Sequence, residues 1–128
     1  MSKIEIPCRN GKLVLEEGGH FPSLYTDDKL EEECGLILVE RKYKYGNSIL
    51  DLDAGAVSLY SCKLDNGKEV SIVVSGGLFD GRVVTIDENP QKAVARGLLT
   101  ELDDAVKNND INRIYDIVST YSKILGKI

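Results

Sequence analysis

The chain has 128 residues, of which 42% are hydrophobic and 29% charged, and its formal net charge at pH 7 is −5. This length and composition are typical of a single folded domain, residues 1–128, and argue against a disordered chain. An acidic surface repels phosphate groups, which counts against binding to nucleic acid or to an anionic membrane. The sequence contains no apolar run of membrane-spanning length and no signal-peptide pattern. We therefore expect a soluble, cytoplasmic protein.

The N-terminal segment predicts a β-hairpin. Apolar and polar residues alternate on both sides of Asn10-Gly11, a dipeptide that favours a type I′ turn. With these two residues as the loop, Cys8 faces Leu13. The next pair on the same face is Ile6 with Leu15. One face of the hairpin is then apolar, as a half-buried sheet requires.

A short helix should follow this hairpin. Thr26 can cap its N-terminus, and two acidic residues, Asp27 and Asp28, stand in the first turn, where they favour a helix start. The helix runs to Glu33, and Gly35 supplies the left-handed conformation that ends many helices.

The next segment has the alternation of a strand. Four residues of one parity are expected to be buried, while Lys42 and Lys44 of the other parity face solvent. The residues expected to be buried are Ile37, Val39, Tyr43 and Tyr45. A turn at Gly46-Asn47 would pair this strand with a following one. The expected pairs are Tyr43 with Leu50, Lys42 with Asp51, and Arg41 with Leu52.

The clearest hairpin lies between Val57 and Ser75. A three-residue loop at Asp65-Asn66-Gly67, with Gly67 left-handed at a bulge, separates apolar and polar faces better than a two-residue loop does. The predicted pairs are Cys62 with Val70, Tyr60 with Ile72, Ser58 with Val74, and Lys63 with Glu69. A last strand runs from Arg82 to Ile86.

Two helices complete the chain. Asn89 caps the first, which has Pro90 at its first position and extends to about Lys107. Asp110 or Asn109 caps the second, which extends to about Leu125. The tight turns between strands predict an antiparallel sheet. The fold class is therefore α+β, an antiparallel β-meander made of the N-terminal hairpin and about five further strands, covered by two C-terminal helices.

The apolar residues of the last helix form two neighbouring stripes. One is Ile111, Ile114, Tyr115, Val118 and Leu125, and the other is Ile117, Tyr121, Ile124 and Ile128. A surface helix normally has one such stripe, so this helix should contact both the sheet and something else. The second contact is either the partner helix or another chain. The leading hypothesis is a non-enzymatic protein–protein interaction or regulatory module, with a homodimer through the C-terminal helices as one form. Its expected contact residues are Ile114, Ile117, Tyr121 and Ile124.

Two alternatives depend on charged side chains. A divalent-metal-dependent hydrolase or cation-binding domain would use clustered carboxylates. These carboxylates are Asp51, Asp53, Asp87 and Glu88. A nucleic-acid-binding strand, residues 41–45, would use cations beside tyrosines. These cations are Arg41, Lys42 and Lys44. The acidic net charge counts against this second alternative.

The remaining reactive side chains predict no catalytic site and no bound cofactor. His20, the single histidine, lies in a glycine-containing loop where we expect it to be exposed. Cys8, Cys34 and Cys62 are an odd number without a close pair, which is typical of free thiols in a reducing compartment. Their spacing also lacks the close ligand pairs of a zinc site.

Overall fold

The protein is described by a computed structural model that covers residues 3–22, 25–43, 55–76 and 81–128. The elements in chain order are β1 (Lys3–Cys8), β2 (Gly11–Glu16), α1 (Asp27–Cys34), β3 (Ile37–Tyr43), β4 (Ala56–Lys63), β5 (Glu69–Gly76), β6 (Gly81–Asp87), α2 (Pro90–Lys107) and α3 (Ile111–Leu125). The hairpin β1–β2 forms one antiparallel sheet, and β3-β4-β5-β6 form a second, in that order. The predicted α+β class, with an antiparallel sheet and two C-terminal helices, is confirmed.

The four-stranded sheet is covered on both faces. Helices α2 and α3 pack on one face, while the β1–β2 hairpin and α1 pack on the other. Residues 57–60 of β4 are consequently all buried, the pattern of a strand that lies between two layers. Two core clusters result. Leu30 and Ile72 belong to the hairpin side, and Ile117 and Tyr121 to the helix side.

The helix ends follow the capping residues of the sequence. Oγ1 of Thr26 accepts a hydrogen bond from the backbone N–H of Lys29 at 3.2 Å, and Gly35 is left-handed at the end of α1. Asn89 and Asp110 cap α2 and α3 in the same way. Asp110, not Asn109, is therefore the N-cap of α3. Among the described residues, no helix has the length and apolar character needed to cross a membrane.

The hairpin β4–β5 has the predicted register. All four expected pairs are present, including Cys62 with Val70 and Lys63 with Glu69. The loop closes through a backbone hydrogen bond from Leu64 to Lys68 at 2.9 Å, and Gly67 has a φ of 83°. The three-residue loop with a left-handed glycine is confirmed, because only this loop keeps both faces in phase.

The first hairpin has a different register from the predicted one. Ile6 pairs with Leu13, and Cys8 pairs with Gly11, so the loop residues are Arg9 and Asn10. The positive φ falls on Gly11, at 141°, whereas a type I′ turn requires positive φ at both loop residues. Because the shift is an even number of residues, the same side chains still face the core. The alternation of the sequence therefore did not distinguish the two registers.

For the first half of β3, the prediction of which side chains face the core is wrong. Ile37 and Val39 are exposed, whereas Leu36 is buried and Leu38 is partly buried against the hairpin-side core. A β-bulge between Leu38 and Glu40 adds one residue, which reverses the alternation beyond it. Odd-numbered residues after the bulge therefore lie on the face that even-numbered residues occupied before it.

The strand that β3 contacts in the described part of the chain is β4. Arg41 pairs with Ser58, Lys42 with Val57, and Tyr43 with Ala56. The predicted turn at Gly46-Asn47 and the partners Leu50, Asp51 and Leu52 lie outside the described residues.

The outer edge of β6 is closed by the segment that follows β2. The backbone N–H of Gly18 donates to the carbonyl of Val83 at 2.7 Å, and the N–H of Val83 donates to Gly19 at 2.9 Å. The Glu17 carboxylate accepts the N–H of Ile86 at 2.9 Å. This edge is therefore protected from pairing with another strand.

A disulfide joins Cys8, at the end of β1, to Cys34, at the end of α1. The prediction of three free thiols is wrong, and among the cysteines only Cys62 is free. The pair is 26 residues apart in sequence, but α1 returns to the hairpin, where the N–H of Arg9 donates to the carbonyl of Glu33 at 2.7 Å. Disulfides are typical of oxidising compartments, so the cysteines no longer support a cytoplasmic location, which stays a prediction.

Candidate interaction surface on the C-terminal helices

The exposed apolar side chains are concentrated on α2 and α3. Of the nine large hydrophobic side chains that are exposed among the described residues, five belong to these two helices. Two of them, Ile111 and Tyr115, are 78% and 74% exposed, so they contribute little to the core. Large contiguous patches of exposed apolar side chains are typical of interaction sites. We call these five residues the outer helical face: Leu99, Val106, Ile111, Tyr115 and Val118.

Helical spacing places these residues in one stripe on each helix. Leu99 and Val106 are seven residues apart on α2, and Ile111, Tyr115 and Val118 follow the i, i+4, i+7 pattern on α3. Residues at these spacings share a helix face. Each helix therefore has an apolar arc wider than its contact with the sheet.

The two helices are held together by a buried polar contact. The hydroxyl of Tyr121 on α3 donates to Oε1 of Glu101 on α2 at 2.9 Å, and both residues are buried. Burial, and next the adjacent Glu101 carboxylate, raise the pKa of Tyr121, which keeps the hydroxyl protonated. At the surface, Nη1 of Arg113 pairs with Oδ2 of Asp104 at 2.8 Å. The outer helical face is thus presented by a fixed helix pair.

Gly97 of α2 packs closely against Tyr121 of α3, the residue that also forms the buried hydrogen bond with Glu101. A Cβ atom at this position would lie 3.1 Å from Cε2 of Tyr121 and 3.4 Å from Cγ1 of Val73 on β5. Glycine therefore allows α2 to contact α3 and the sheet at once. The exposed side of the pair is opposite this contact.

Three of the four contact residues expected from the sequence are part of the domain's own core. Ile117, Tyr121 and Ile124 have no exposed surface, and Ile114 is only partly buried against them. Fully buried side chains cannot contact a partner, so the prediction for these three residues is corrected. The exposed stripe is the neighbouring one, which contains Ile111, Tyr115 and Val118. Periodicity identified both stripes but not which of them faces the sheet.

Charge is distributed unequally between the helices and the rest of the chain. Residues 90–128 contain six Lys or Arg and five Asp or Glu, a net charge of +1. Residues 1–89 contain ten and sixteen, respectively, and therefore carry −6. The helix layer is thus nearly neutral in an acidic protein.

The carboxylates proposed for a metal site are only partly described. Asp87 accepts hydrogen bonds from the N–H of Asn89 at 3.0 Å and from Arg96 at 3.3 Å. The first of these contributes most to the lowered pKa of Asp87. Glu88 pairs with Nζ of Lys68 at 3.3 Å. In the described ranges, no group of three or more His, Cys, Asp and Glu could hold a metal ion. Two further candidates, Asp51 and Asp53, lie outside these ranges.

Arg41, proposed as a nucleic-acid contact, is engaged within the domain. Its guanidinium pairs with the Asp27 carboxylate at 2.8 and 3.1 Å. It also donates to the hydroxyls of Ser58 and Tyr60, at 2.8 and 2.7 Å. Lys42 lies 3.8 Å from a carboxylate oxygen of Glu40. These contacts connect β3 to α1 and β4. The third candidate, Lys44, is outside the described residues.

The two remaining reactive side chains, His20 and Cys62, differ in their exposure. His20 is exposed in the loop after β2, as predicted. Cys62 is buried, and burial raises the pKa of its thiol to about 11. At neutral pH this thiol is protonated, which is the opposite of what a nucleophilic cysteine requires.

No family model, curated protein or solved structure matches this chain.

Proposed function

We propose that this protein is a non-enzymatic protein–protein interaction module that binds its partner through the outer helical face. The observation that carries the proposal is the cluster of five exposed apolar side chains on two helices whose opposite side is anchored in the core. A rigid, preformed surface loses little conformational entropy on binding, which favours association.

The composition of the outer helical face supports this proposal. Its side chains are aliphatic and aromatic, and exposed charges of both signs stand near Leu99 and Val106 in the sequence of α2, such as the Asp103–Lys107 ion pair. An apolar centre with a polar rim is the usual arrangement of protein interfaces. Tyr115 is the residue that we expect to contribute most, because tyrosine is enriched among the side chains that dominate binding energy.

Site-specific photocrosslinking tests the proposal. A photoreactive residue at Tyr115 should give defined protein adducts in cells, and the same residue at Val14 should not. Val14 is a matched control because it is also an exposed apolar side chain, but it lies on β2, in the layer across the sheet from α2 and α3. Equal adduct formation at both positions, or none at Tyr115, would contradict the proposal.

The metal-dependent alternative makes a separate prediction. Binding of Mg²⁺, Mn²⁺ or Ca²⁺ to the folded state would raise the Tm in proportion to the logarithm of the metal concentration. An unchanged Tm with all three ions would eliminate this alternative. If the protein is an interaction module that binds no metal, its Tm should not change with any of these ions.

A further inference from the structure

We infer that the occupant of the outer helical face is a second copy of this chain, which makes the protein a two-fold symmetric homodimer. This inference rests on the proposed function and names its partner. Three properties of the described residues carry it: the size of the apolar face, the neutrality of the helix layer, and the position of the acidic layer.

The first property is the size of the face. Together, the exposed parts of its five side chains equal about three fully exposed large side chains. This corresponds to an apolar area on the order of 500 Å². About 65% of a homodimer interface is apolar, so this area corresponds to roughly 800 Å² of interface per subunit. A standard stable interface buries about 800 Å² on each partner. The face therefore has the size of a standard interface, below the roughly 2,000 Å² or more in total that obligate homodimers bury.

The second property is the neutrality of the helix layer. Residues 90–128 carry a net charge of +1, so two such layers can approach without strong repulsion. A strongly basic partner would be attracted to the acidic part of the chain instead, because complementary charge directs encounter. Between the two layers that cover the described sheet, the helix layer is thus the one better suited to a copy of itself.

The third property is the location of the acidic excess. Residues 3–34 contain eight Asp or Glu and four Lys or Arg, and they form the hairpin and α1. These elements lie across the sheet from α2 and α3. In the dimer, each acidic layer is separated from its copy by two sheets and two helix layers, well beyond the Debye length of about 8 Å at physiological salt. Repulsion between the subunits is then screened.

The geometry follows from a two-fold axis that lies in the plane of the interface, parallel to the helix layers. An isologous interface of this kind brings the same patch of both subunits together, so Leu99 and Tyr115 of each copy become buried at once. The four helices form a central layer, with one sheet on each outer side. Antiparallel helix pairs that present apolar stripes pack in this way in four-helix bundles.

Sedimentation velocity of the intact protein tests this inference. Interfaces of standard size have dissociation constants from about micromolar to picomolar. At roughly 1–100 µM we therefore expect a species of twice the 14.1 kDa monomer mass. Tyr115→Lys and Leu99→Lys, one on each helix, should each weaken dimerisation by about 30-fold or more. Val14→Lys should leave it unchanged. Circular dichroism establishes that each variant is folded, and two independent variants keep the test decisive if one of them unfolds.

The outcomes separate this inference from the function on which it rests. A wild-type monomer throughout the concentration range overturns the second copy as partner. The proposed function then stands only if photocrosslinking at Tyr115 captures a different protein. A dimer that persists in both lysine variants, or one that Val14→Lys weakens equally, overturns the outer helical face as the dimer contact.

Discussion

Tyr121 and Glu101 form a buried hydrogen bond that joins the two C-terminal helices. The hydroxyl of Tyr121 lies 2.9 Å from Oε1 of Glu101, and the ring packs beside Gly97. This contact fixes the inner side of the helix pair. With Tyr121 facing inward, the neighbouring apolar stripe of α3 is left at the surface. This exposed stripe contains Ile111, Tyr115 and Val118.

Removing the Tyr121 hydroxyl should destabilise the domain. Tyr121→Phe takes a donor from a buried carboxylate, and we expect the free energy of unfolding to fall by about 1–3 kcal/mol. Urea denaturation measures this change. Tyr115→Phe, on the same helix but exposed, is the matched control and should change stability by less than about 0.5 kcal/mol. Equal effects of the two substitutions would show that the buried hydrogen bond contributes nothing.

Adding a methyl group at Gly97 should also destabilise the domain. Alanine improves helix propensity by about 1 kcal/mol, but overpacking a core costs about 1–3 kcal/mol. The new Cβ lies 3.1 Å from a Tyr121 ring that its hydrogen bond prevents from moving away, so we expect a net loss of about 1 kcal/mol. Gly126→Ala is the control, because its Cβ makes only ordinary contacts. A gain in the denaturation midpoint for Gly97→Ala would contradict this.

The Cys8–Cys34 disulfide should contribute substantially to stability. A cross-link with a sequence separation of 26 restricts the unfolded chain, and we expect its reduction to cost about 3–4 kcal/mol. Denaturant midpoints with and without a thiol reductant measure the effect. The double variant Cys8→Ala, Cys34→Ala should be insensitive to reductant, while Cys62→Ala should remain sensitive. A wild-type midpoint that reductant does not move would exclude a structural role for this bond.

The pairing of Asp27 with Arg41 should make stability depend on acid pH. Burial raises the pKa of Asp27, but hydrogen bonds from Arg41 and Tyr60 outweigh it, so the folded pKa lies below the ordinary 3.8. A lowered folded pKa stabilises the fold above the unfolded pKa, and this contribution disappears as pH falls through the folded value.

Asp27→Asn measures this contribution. At neutral pH, allowing for the partial exposure of the pair, we expect a loss of about 1 kcal/mol. The difference from wild type should shrink below about pH 4. Asp28→Asn, in the same helical turn but exposed, is the control for the interaction with the helix dipole. A difference that is constant from pH 7 to about pH 2 would rule out the ion pair as its cause.

Several features that depend on neighbouring residues were predictable from the sequence, although the register of the equally local β1–β2 hairpin was not. Thr26, Asn89 and Asp110 cap their helices because a short polar side chain satisfies N–H groups only a few residues away. The β4–β5 register was also predictable, because the loop at Gly67 and the alternation of both strands agree on one pairing. In each case the interacting groups lie within about twenty residues, and no distant segment competes with them.

Features that depend on distant segments were decided by the tertiary structure. The bulge at Val39 arises in the pairing of β3 with β4, and the disulfide joins Cys8 of β1 to Cys34 of α1, 26 residues away. The sequence showed two apolar stripes on α3, and only packing against the sheet determined that Ile117 and Tyr121 face inward while Tyr115 faces outward. Hydrophobic periodicity specifies the width of an apolar face. Its direction depends on the surface that covers it, which is formed by residues far away in the chain.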